Sequence, residues 1–262
     1  MKKSVISFMA AFLIISCGVA LAREFGLKQS RPKPHEFGNV IIDNYSTQNS
    51  ESPVVFRHWL HRAKYTCRLC HVDIGFAMET GGTDIRNEDI KNGLFCGTCH
   101  NNEIAFGQSK KNGKEMDPES CVRCHSYDRE VKLKNDFYEF RKGMPRERFG
   151  NGVDWQAAEE KGKIELIDYL EGVSIKGFEI KKPEEFELKP TSENMPKIIF
   201  SHEKHNKWSG CELCHPEIFA PNKGSEPYSM EKIFEGRYCG VCHGPVAFPN
   251  FDCQRCHTEL VY

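Results

Sequence analysis

Six short motifs of one kind carry most of the chemistry that this sequence can do. Each has the form Cys-x-x-Cys-His, so that two thiols lie within one turn of chain and a histidine follows directly. The six are Cys67/Cys70/His71, Cys96/Cys99/His100, Cys121/Cys124/His125, Cys211/Cys214/His215, Cys239/Cys242/His243 and Cys253/Cys256/His257. Only Cys17, of the thirteen cysteines, stands outside this pattern. A disulfide framework does not space its cysteines in this way.

The Cys-x-x-Cys-His motif is the attachment signature of c-type haem. Its two thiols add to the two vinyl groups of the porphyrin, and the adjacent histidine is directed at the iron as an axial ligand. Zinc is the alternative, because a pair of cysteines completed by two histidines is also a tetrahedral site. Six identical units, with no unmatched cysteine after residue 17, favour haem. We therefore predict six covalently attached haem c groups.

Five histidines lie outside the motifs, and they are the natural supply of second axial ligands. Four of them form pairs at i, i+3 spacing, His58 with His61 and His202 with His205, so that each pair projects from one helix face toward two neighbouring haems. The fifth is His35, for which a surface role is equally expected. Since the chain has eleven histidines, at least one of six irons has no histidine in its second axial position.

These ligands belong to two copies of one unit. The pattern of segment 56–71 recurs in segment 200–215 at a constant offset of 144 residues. The segment "GLFCGTCH" at 93–100 corresponds to "GRYCGVCH" at 236–243. The third motifs complete two units of three. The predicted domains are a signal segment 1–22, an N-terminal arm 23–50, a first three-haem module 51–126, a linker 127–196 and a second three-haem module 197–262.

Regular secondary structure is expected to be sparse. No alternation of strand length persists, and glycine and proline interrupt the gaps between motifs. The predicted fold is mostly irregular with small helices and little sheet, and haem replaces an apolar side-chain core. The linker is rich in Lys and Glu and is expected to be a solvated connector or, alternatively, a docking surface for a partner. It contains one short predicted helix, which starts near Asp154 and stops at Gly162.

The order F-x-H-x-x-H followed by three C-x-x-C-H motifs resembles the class III multihaem cytochromes c, in particular their three-haem subgroup, and it occurs here twice. The resemblance covers both modules, and the arm and linker lie outside it. It implies that His58 ligates the haem of the first motif and that His61 reaches the haem of the second. In the second module it implies the same roles for His202 and His205.

The third haem of each module departs from the family pattern. The three-haem proteins place a further histidine about four residues before the second motif, whereas Asn92 and Glu235 stand there in this chain. His35 is a candidate ligand for one third haem and Met78 or Met230 for the other, although core packing is the commoner role of methionine. Otherwise the iron is ligated by water or is open.

The N-terminus has the pattern of an export signal. Lys2 and Lys3 precede an apolar run, and Ala20 to Ala22 provide a site for cleavage by signal peptidase. A lipoprotein signal ending at Cys17 is one alternative and an uncleaved anchor is another. All three place the protein outside the cytoplasm, where haem is covalently attached. The predicted location is the periplasm, with or without a lipid anchor at Cys17.

Charge indicates the kind of partner. The formal net charge is −1, and the propionates of six haems would bring the mature protein to roughly −9 when oxidised. Such a surface favours redox proteins with basic docking faces and disfavours nucleic acid. The sequence offers membrane contact only through a lipid anchor at Cys17.

The resemblance implies an electron carrier and not an enzyme. In this interpretation the protein is an envelope conduit that passes electrons from membrane oxidoreductases to terminal or extracellular acceptors. Two alternatives stay open. One is a reductase that works at a third haem without a second axial protein ligand, and the other is a subunit that carries electrons within a larger membrane complex. The sequence lacks C-x-x-C-K, the lysine-ligated signature of one group of multihaem nitrite reductases, which counts against the reductase.

Overall fold

The computed structural model describes residues 31–107, 118–127, 136–175, 185–190 and 195–258. Contacts divide the chain into a short first unit, Met1–Lys33, and a second unit, Pro34–Tyr262. All elements below belong to the second unit. The predicted signal segment and Cys17 lie outside the described residues. Within the described ranges, no helix combines the length and the apolar character needed to cross a membrane.

Regular structure is short and mainly helical. In chain order the elements are β1 (Asn39–Ile42), β2 (Val54–Arg57), α1 (His58–Arg62), α2 (Asn87–Lys91), α3 (Pro118–Cys124), α4 (Phe137–Lys142), α5 (Trp155–Glu160), β3 (Phe186–Leu188), β4 (Ile198–Phe200), α6 (His202–Ser209), α7 (Met230–Phe234) and α8 (Cys253–Cys256). None of these strands exceeds four residues and none of these helices exceeds eight. The predicted fold class, irregular with small helices and little sheet, is confirmed.

Each histidine-pair helix is preceded by a two-stranded antiparallel hairpin. Strand β1 pairs with β2 so that Asn39 lies opposite Arg57, and β3 pairs with β4 so that Leu188 lies opposite Ile198. The second strand of each hairpin runs directly into α1 or α6. The first strand comes from the predicted arm in one case and from the predicted linker in the other. The duplication in the structure therefore includes a strand that no sequence repeat marks.

The second motif of each module is held against the preceding helix by a contact that only glycine allows. A Cβ atom on Gly97 would lie 2.0 Å from the carbonyl oxygen of Ile90 in α2. A Cβ atom on Gly240 would lie 2.0 Å from the carbonyl oxygen of Ile233 in α7. Any side chain at either glycine would push the helix away from the motif.

A small apolar core lies within the segment predicted as a linker. Its buried members are Trp59, Phe137, Val153, Trp155, Ala158 and Ile164. Trp59 comes from the first module, and Trp208 of the second module packs against the cluster. The structure thus differs from the expectation of a solvated connector, because the apolar residues of this segment are scattered in sequence and meet only after the chain has turned. This segment packs against both modules.

The predicted helix in the linker is confirmed as α5. The Asp154 carboxylate accepts a hydrogen bond from the backbone N–H of Ala157 at 3.0 Å, which satisfies one of the free donors of the first turn. Gly162, with φ of +61°, follows the helix where the chain reverses. Both ends therefore match the signals in the sequence.

The modules also contact each other through equivalent residues. Arg68 and Glu212 stand between the two cysteines of the first motif in their respective modules, and Arg68 Nε lies 3.8 Å from Glu212 Oε2. The Arg68 guanidinium also lies 3.0 Å from the Asp73 carboxylate and 3.7 Å from the Asp168 carboxylate of the linker. The first motifs of the two modules are therefore neighbours.

Candidate functional site

The motif cysteines are all described, and none of them is in a disulfide. Burial raises the pKa of the Cys70 and Cys242 thiols to about 12 and that of the Cys96 and Cys239 thiols to about 11. Neighbouring motif thiols are a further cause of these raised values. Such positions disfavour a thiolate, which is charged, but they do not disfavour a neutral thioether. The surroundings of these four cysteines thus fit the thioether links of c-type haem.

Every motif histidine has its Nδ1 atom at hydrogen-bonding distance from a backbone carbonyl. The pairs are His71 with Phe76 at 2.9 Å, His100 with Phe106 at 2.6 Å, His125 with Ser52 at 2.7 Å, His215 with Phe219 at 2.7 Å, His243 with Phe248 at 3.2 Å and His257 with Pro196 at 2.8 Å. A carbonyl oxygen only accepts, so Nδ1–H is the donor and Nε2 keeps its lone pair. A histidine that binds a metal usually donates its other ring N–H in this way, which fixes the tautomer and the orientation of the ring.

Three histidines outside the motifs have the same arrangement. His58 Nδ1 lies 2.5 Å from the carbonyl oxygen of Gly38, and His61 Nδ1 lies 3.1 Å from that of Arg57. In the second module His205 Nδ1 lies 2.8 Å from the carbonyl oxygen of Ser201. In each case the backbone holds the ring with Nε2 available for a ligand bond.

Each of these rings lies opposite a motif histidine, at a separation that would accommodate one metal atom between them. The ring centroids are 6.4 Å apart for His58 and His71, and the two rings are within 11° of parallel. The distance is 6.3 Å for His61 and His100 and 6.1 Å for His205 and His243. A metal atom midway between two imidazole nitrogens, at about 2 Å from each, requires centroids roughly 6 Å apart. The three pairs therefore fit the two axial positions of an iron.

Burial also keeps these imidazoles in the form that binds metals. It lowers the pKa of His58, His61 and His243 to about 4, against the opposing effect of their backbone hydrogen bonds. It lowers the pKa of His71, His100 and His205 as well. The six rings of the three pairs are accordingly neutral at pH 7, and neutral imidazole is the ligand form.

A phenylalanine orients each histidine pair, a role that the sequence analysis did not assign. The Phe56 ring stacks on His61 at 4.4 Å and meets His58 edge-on at 4.8 Å. The Phe200 ring repeats both contacts, with His205 at 4.4 Å and His202 at 4.9 Å. The first letter of the repeated F-x-H-x-x-H pattern was the signal for this role.

The third motif of each module is anchored to the start of its hairpin strand. His125 is bonded to Ser52 and His257 to Pro196, and these two carbonyls lie at equivalent positions just before β2 and β4. A backbone bridge between Ile198 and His257 strengthens the second anchor. The hairpin thus carries the histidine pair at one end and holds the third motif at the other.

The remaining candidate ligands lie at the surface. His35 Nδ1 is 3.0 Å from the Tyr138 hydroxyl, and His35 Nε2 is 3.7 Å from the Glu36 carboxylate. Met78 and Met230 are 38% and 39% exposed. Among the described residues, the only ring that His35 meets is that of Tyr138. Ligation of a third haem by any of these three stays a prediction.

A sequence model of one family, described as cytochrome c7 and related cytochrome c, matches residues 54–126 and 198–258, just over half of the chain. The chain belongs to the cytochrome c7 family. The resemblance drawn from the two F-x-H-x-x-H patterns is confirmed. Like the rest of this family, the protein is a multihaem c-type cytochrome, and its role is electron transfer.

Several solved cytochromes are similar to this cytochrome c7 chain. A c7-type three-heme cytochrome domain is 33% identical, with 29% of this chain and 95% of that chain covered and a TM-score of 0.27. The C-terminal hexaheme fragment of GSU1996 is 23% identical over 88% of this chain and all of the fragment, also with a TM-score of 0.27. Dodecaheme cytochrome c GSU1996 is 22% identical over 84% of this chain and 73% of its own length, with the same TM-score. Curated proteins gave no significant match.

Proposed function

We propose that this protein carries six covalent haems and serves as an exported electron conduit. The observation that supports the proposal most directly is the set of three facing imidazole pairs, each with its outer nitrogens bound to backbone carbonyls. The twelve motif cysteines would hold the porphyrins and the six motif histidines would be proximal ligands. His58, His61, His202 and His205 would be distal ligands.

We propose electron transfer and not catalysis because, at each facing pair, both axial positions of the iron would be occupied by imidazoles. Haem iron, when bound, supplies the change between ferric and ferrous states. At the three facing pairs the protein would place an imidazole on each side of the metal, which would leave no axial position there for a substrate. The backbone carbonyls and the phenylalanines hold these imidazoles in place, which would limit the movement of the ligands between the two oxidation states.

The signal segment supports the proposed location, and the net charge supports the proposed partners. Covalent haem attachment outside the cytoplasm agrees with the predicted signal segment 1–22, so the periplasm or the cell envelope is the proposed location, with a lipid anchor at Cys17 as the alternative. The acidic balance that six haems would give favours donors and acceptors with basic docking faces. Membrane oxidoreductases and terminal or extracellular acceptors are the proposed partner classes.

A haem count tests this proposal. Pyridine haemochrome analysis of the full chain, purified from a host that attaches c-type haem, should return six haems per polypeptide. Electron paramagnetic resonance of the oxidised protein should show at least three low-spin haems, one for each imidazole pair. A colourless protein, or one in which every haem is high-spin, would reject the proposal.

A reductase is the second candidate, because eleven histidines do not supply two ligands to each of six irons. The site would be a third haem, where Asn92 and Glu235 stand in place of the family histidine. Addition of cyanide or nitrite to the oxidised protein discriminates between the candidates. A conduit with all axial positions filled keeps its spectrum, whereas a reductase shows a ligand-induced conversion of one or two haems.

A further inference from the structure

Arg62 is a positive charge that has no matching carboxylate among the residues that the structure describes. It ends helix α1, directly after the ligand candidate His61, and its side chain is partly buried. Over the described residues, no Asp or Glu lies within ion-pair distance of its guanidinium. A guanidinium stays protonated and charged at pH 7. An unpaired guanidinium away from water is costly unless nearby groups stabilise it.

The contacts of Arg62 come from the other module and from the linker. Its Nη1 atom donates a hydrogen bond to the carbonyl oxygen of Val246 at 2.9 Å. Its guanidinium lies 4.5 Å from the centroid of the Trp155 ring and 5.3 Å from that of Trp208, both within the range of a cation–π interaction. One arginine of module 1 therefore touches the linker and module 2 at the same time.

Two motif cysteines, one from each module, flank this arginine. Burial raises the pKa of the Cys67 and Cys242 thiols and the Arg62 guanidinium acts to lower it, while Cys67 also raises the pKa of Cys242, so the three groups lie close together. The backbone N–H groups of Val246 and Ala247 donate to the carbonyl oxygen of Cys242 at 3.2 Å and 2.8 Å. Each thiol would attach the edge of a porphyrin, so neighbouring thiols of the two modules would bring two haem sites together.

The duplication shows that this charge belongs to one module only. At the offset of 144 residues, the counterpart of Arg62 is Asn206. Asn206 accepts a hydrogen bond from the Cys211 thiol within its own module. The ligand pattern is therefore repeated in both copies, whereas Arg62 has an uncharged counterpart in the second module.

We propose that electrons cross between the two modules at Arg62, from the haem site of Cys67 and Cys70 to that of Cys239 and Cys242 or the reverse, and that its fixed charge raises the reduction potentials of both. The inference rests on the proposed six-haem conduit. In the crossing step one electron leaves a ferrous iron and reduces a ferric iron, and no bond is formed or broken. A nearby cation disfavours the ferric state, which carries one more positive charge.

Potentiometric titration of the haem-loaded full chain tests the role of Arg62. Individual haems are resolved by NMR of their methyl signals and are assigned through contacts with His71 and His243. In Arg62→Gln and Arg62→Asn, the potentials of these two haems should fall while the other four change little. Arg62→Lys, which keeps the charge, should stay close to the unaltered protein. Arg86→Gln is the matched control, because Arg86 is 61% exposed and pairs with Asp84.

A second pair of variants leaves Arg62 in place. Trp208→Glu puts a carboxylate beside the guanidinium and should lower the same two potentials, whereas Trp208→Gln should not. These variants keep the test decisive if Arg62→Gln does not fold.

Unchanged potentials in Arg62→Gln and in Trp208→Glu would overturn the inference, and so would an equal fall in Arg62→Lys. A haem count far below six in the unaltered protein would instead reject the proposed function. The two failures are therefore distinguishable.

Discussion

At the scale of single residues, backbone carbonyls control the orientation of the imidazoles. Nine histidines have Nδ1 within hydrogen-bonding distance of a main-chain oxygen, and three of them face a motif histidine at ligand spacing. A carbonyl that is part of the folded main chain moves little, so the ring it holds is pre-oriented before metal binds. The stacked Phe56 and Phe200 rings restrict the same histidines from the side.

Removal of one imidazole from a facing pair should open one axial position. We expect His61→Ala to convert one haem per chain from low-spin to high-spin, and His205→Ala to do the same in the second module. The measurement is electron paramagnetic resonance of the oxidised protein. Lys64→Ala, at an exposed position three residues after His61, is the control and should leave the spectrum unchanged. A fully low-spin His61→Ala spectrum would remove the cross-haem assignment.

At the scale of elements, the unit that repeats is a hairpin followed by a short helix. The hairpin strand leads into the histidine pair, and the carbonyl just before that strand holds the third motif. The second motif is positioned separately, by the close approach of Gly97 to Ile90 and of Gly240 to Ile233. The second and third motifs are thus located by main-chain contacts, which require little regular structure.

Alanine at either close-contact glycine should destabilise its module. The added Cβ of Gly97→Ala or Gly240→Ala would overlap a helix carbonyl, and relief by backbone shifts should cost about 1–3 kcal/mol. Gly143→Ala is the control, because φ there is −86° and a Cβ would meet nothing nearer than 4.0 Å. Denaturant unfolding of the haem-loaded variants measures the difference. Equal stability of Gly97→Ala and Gly143→Ala would contradict the contact.

At the scale of the whole molecule, one apolar core holds the two modules and the linker together within the second unit of the chain. Neither module contains this core alone. Trp155 packs at its centre, stacked on Phe140 at 5.8 Å and bonded through Nε1 to Asn151 at 3.2 Å. Trp59 and Trp208 attach the two modules to this core. The ion pairs of Arg68 add a second connection, at the first motifs.

Trp155→Ala should weaken the whole assembly and not the linker alone. Truncation of a buried tryptophan typically costs about 3–5 kcal/mol, and here it also removes a ring that lies against Arg62. We expect a lower unfolding midpoint together with easier proteolysis between the modules. Ile175→Ala is the control, since Ile175 is 82% exposed. If Trp155→Ala unfolded like the unaltered protein, residues 137–164 would be a solvated connector after all.

The sequence by itself determined the motifs, the duplication, the histidine pairs, the short helix after Asp154 and the sparse regular structure. These features are local, because covalent haem attachment requires thiols and a histidine at set spacing along the chain. Only the tertiary structure decided that the linker holds an apolar core and that Arg62 lies between the modules. It also placed Ser52 and Pro196 as anchors of the third motifs. These contacts join residues that are far apart in the chain and follow no period, so no pattern along the sequence marks them.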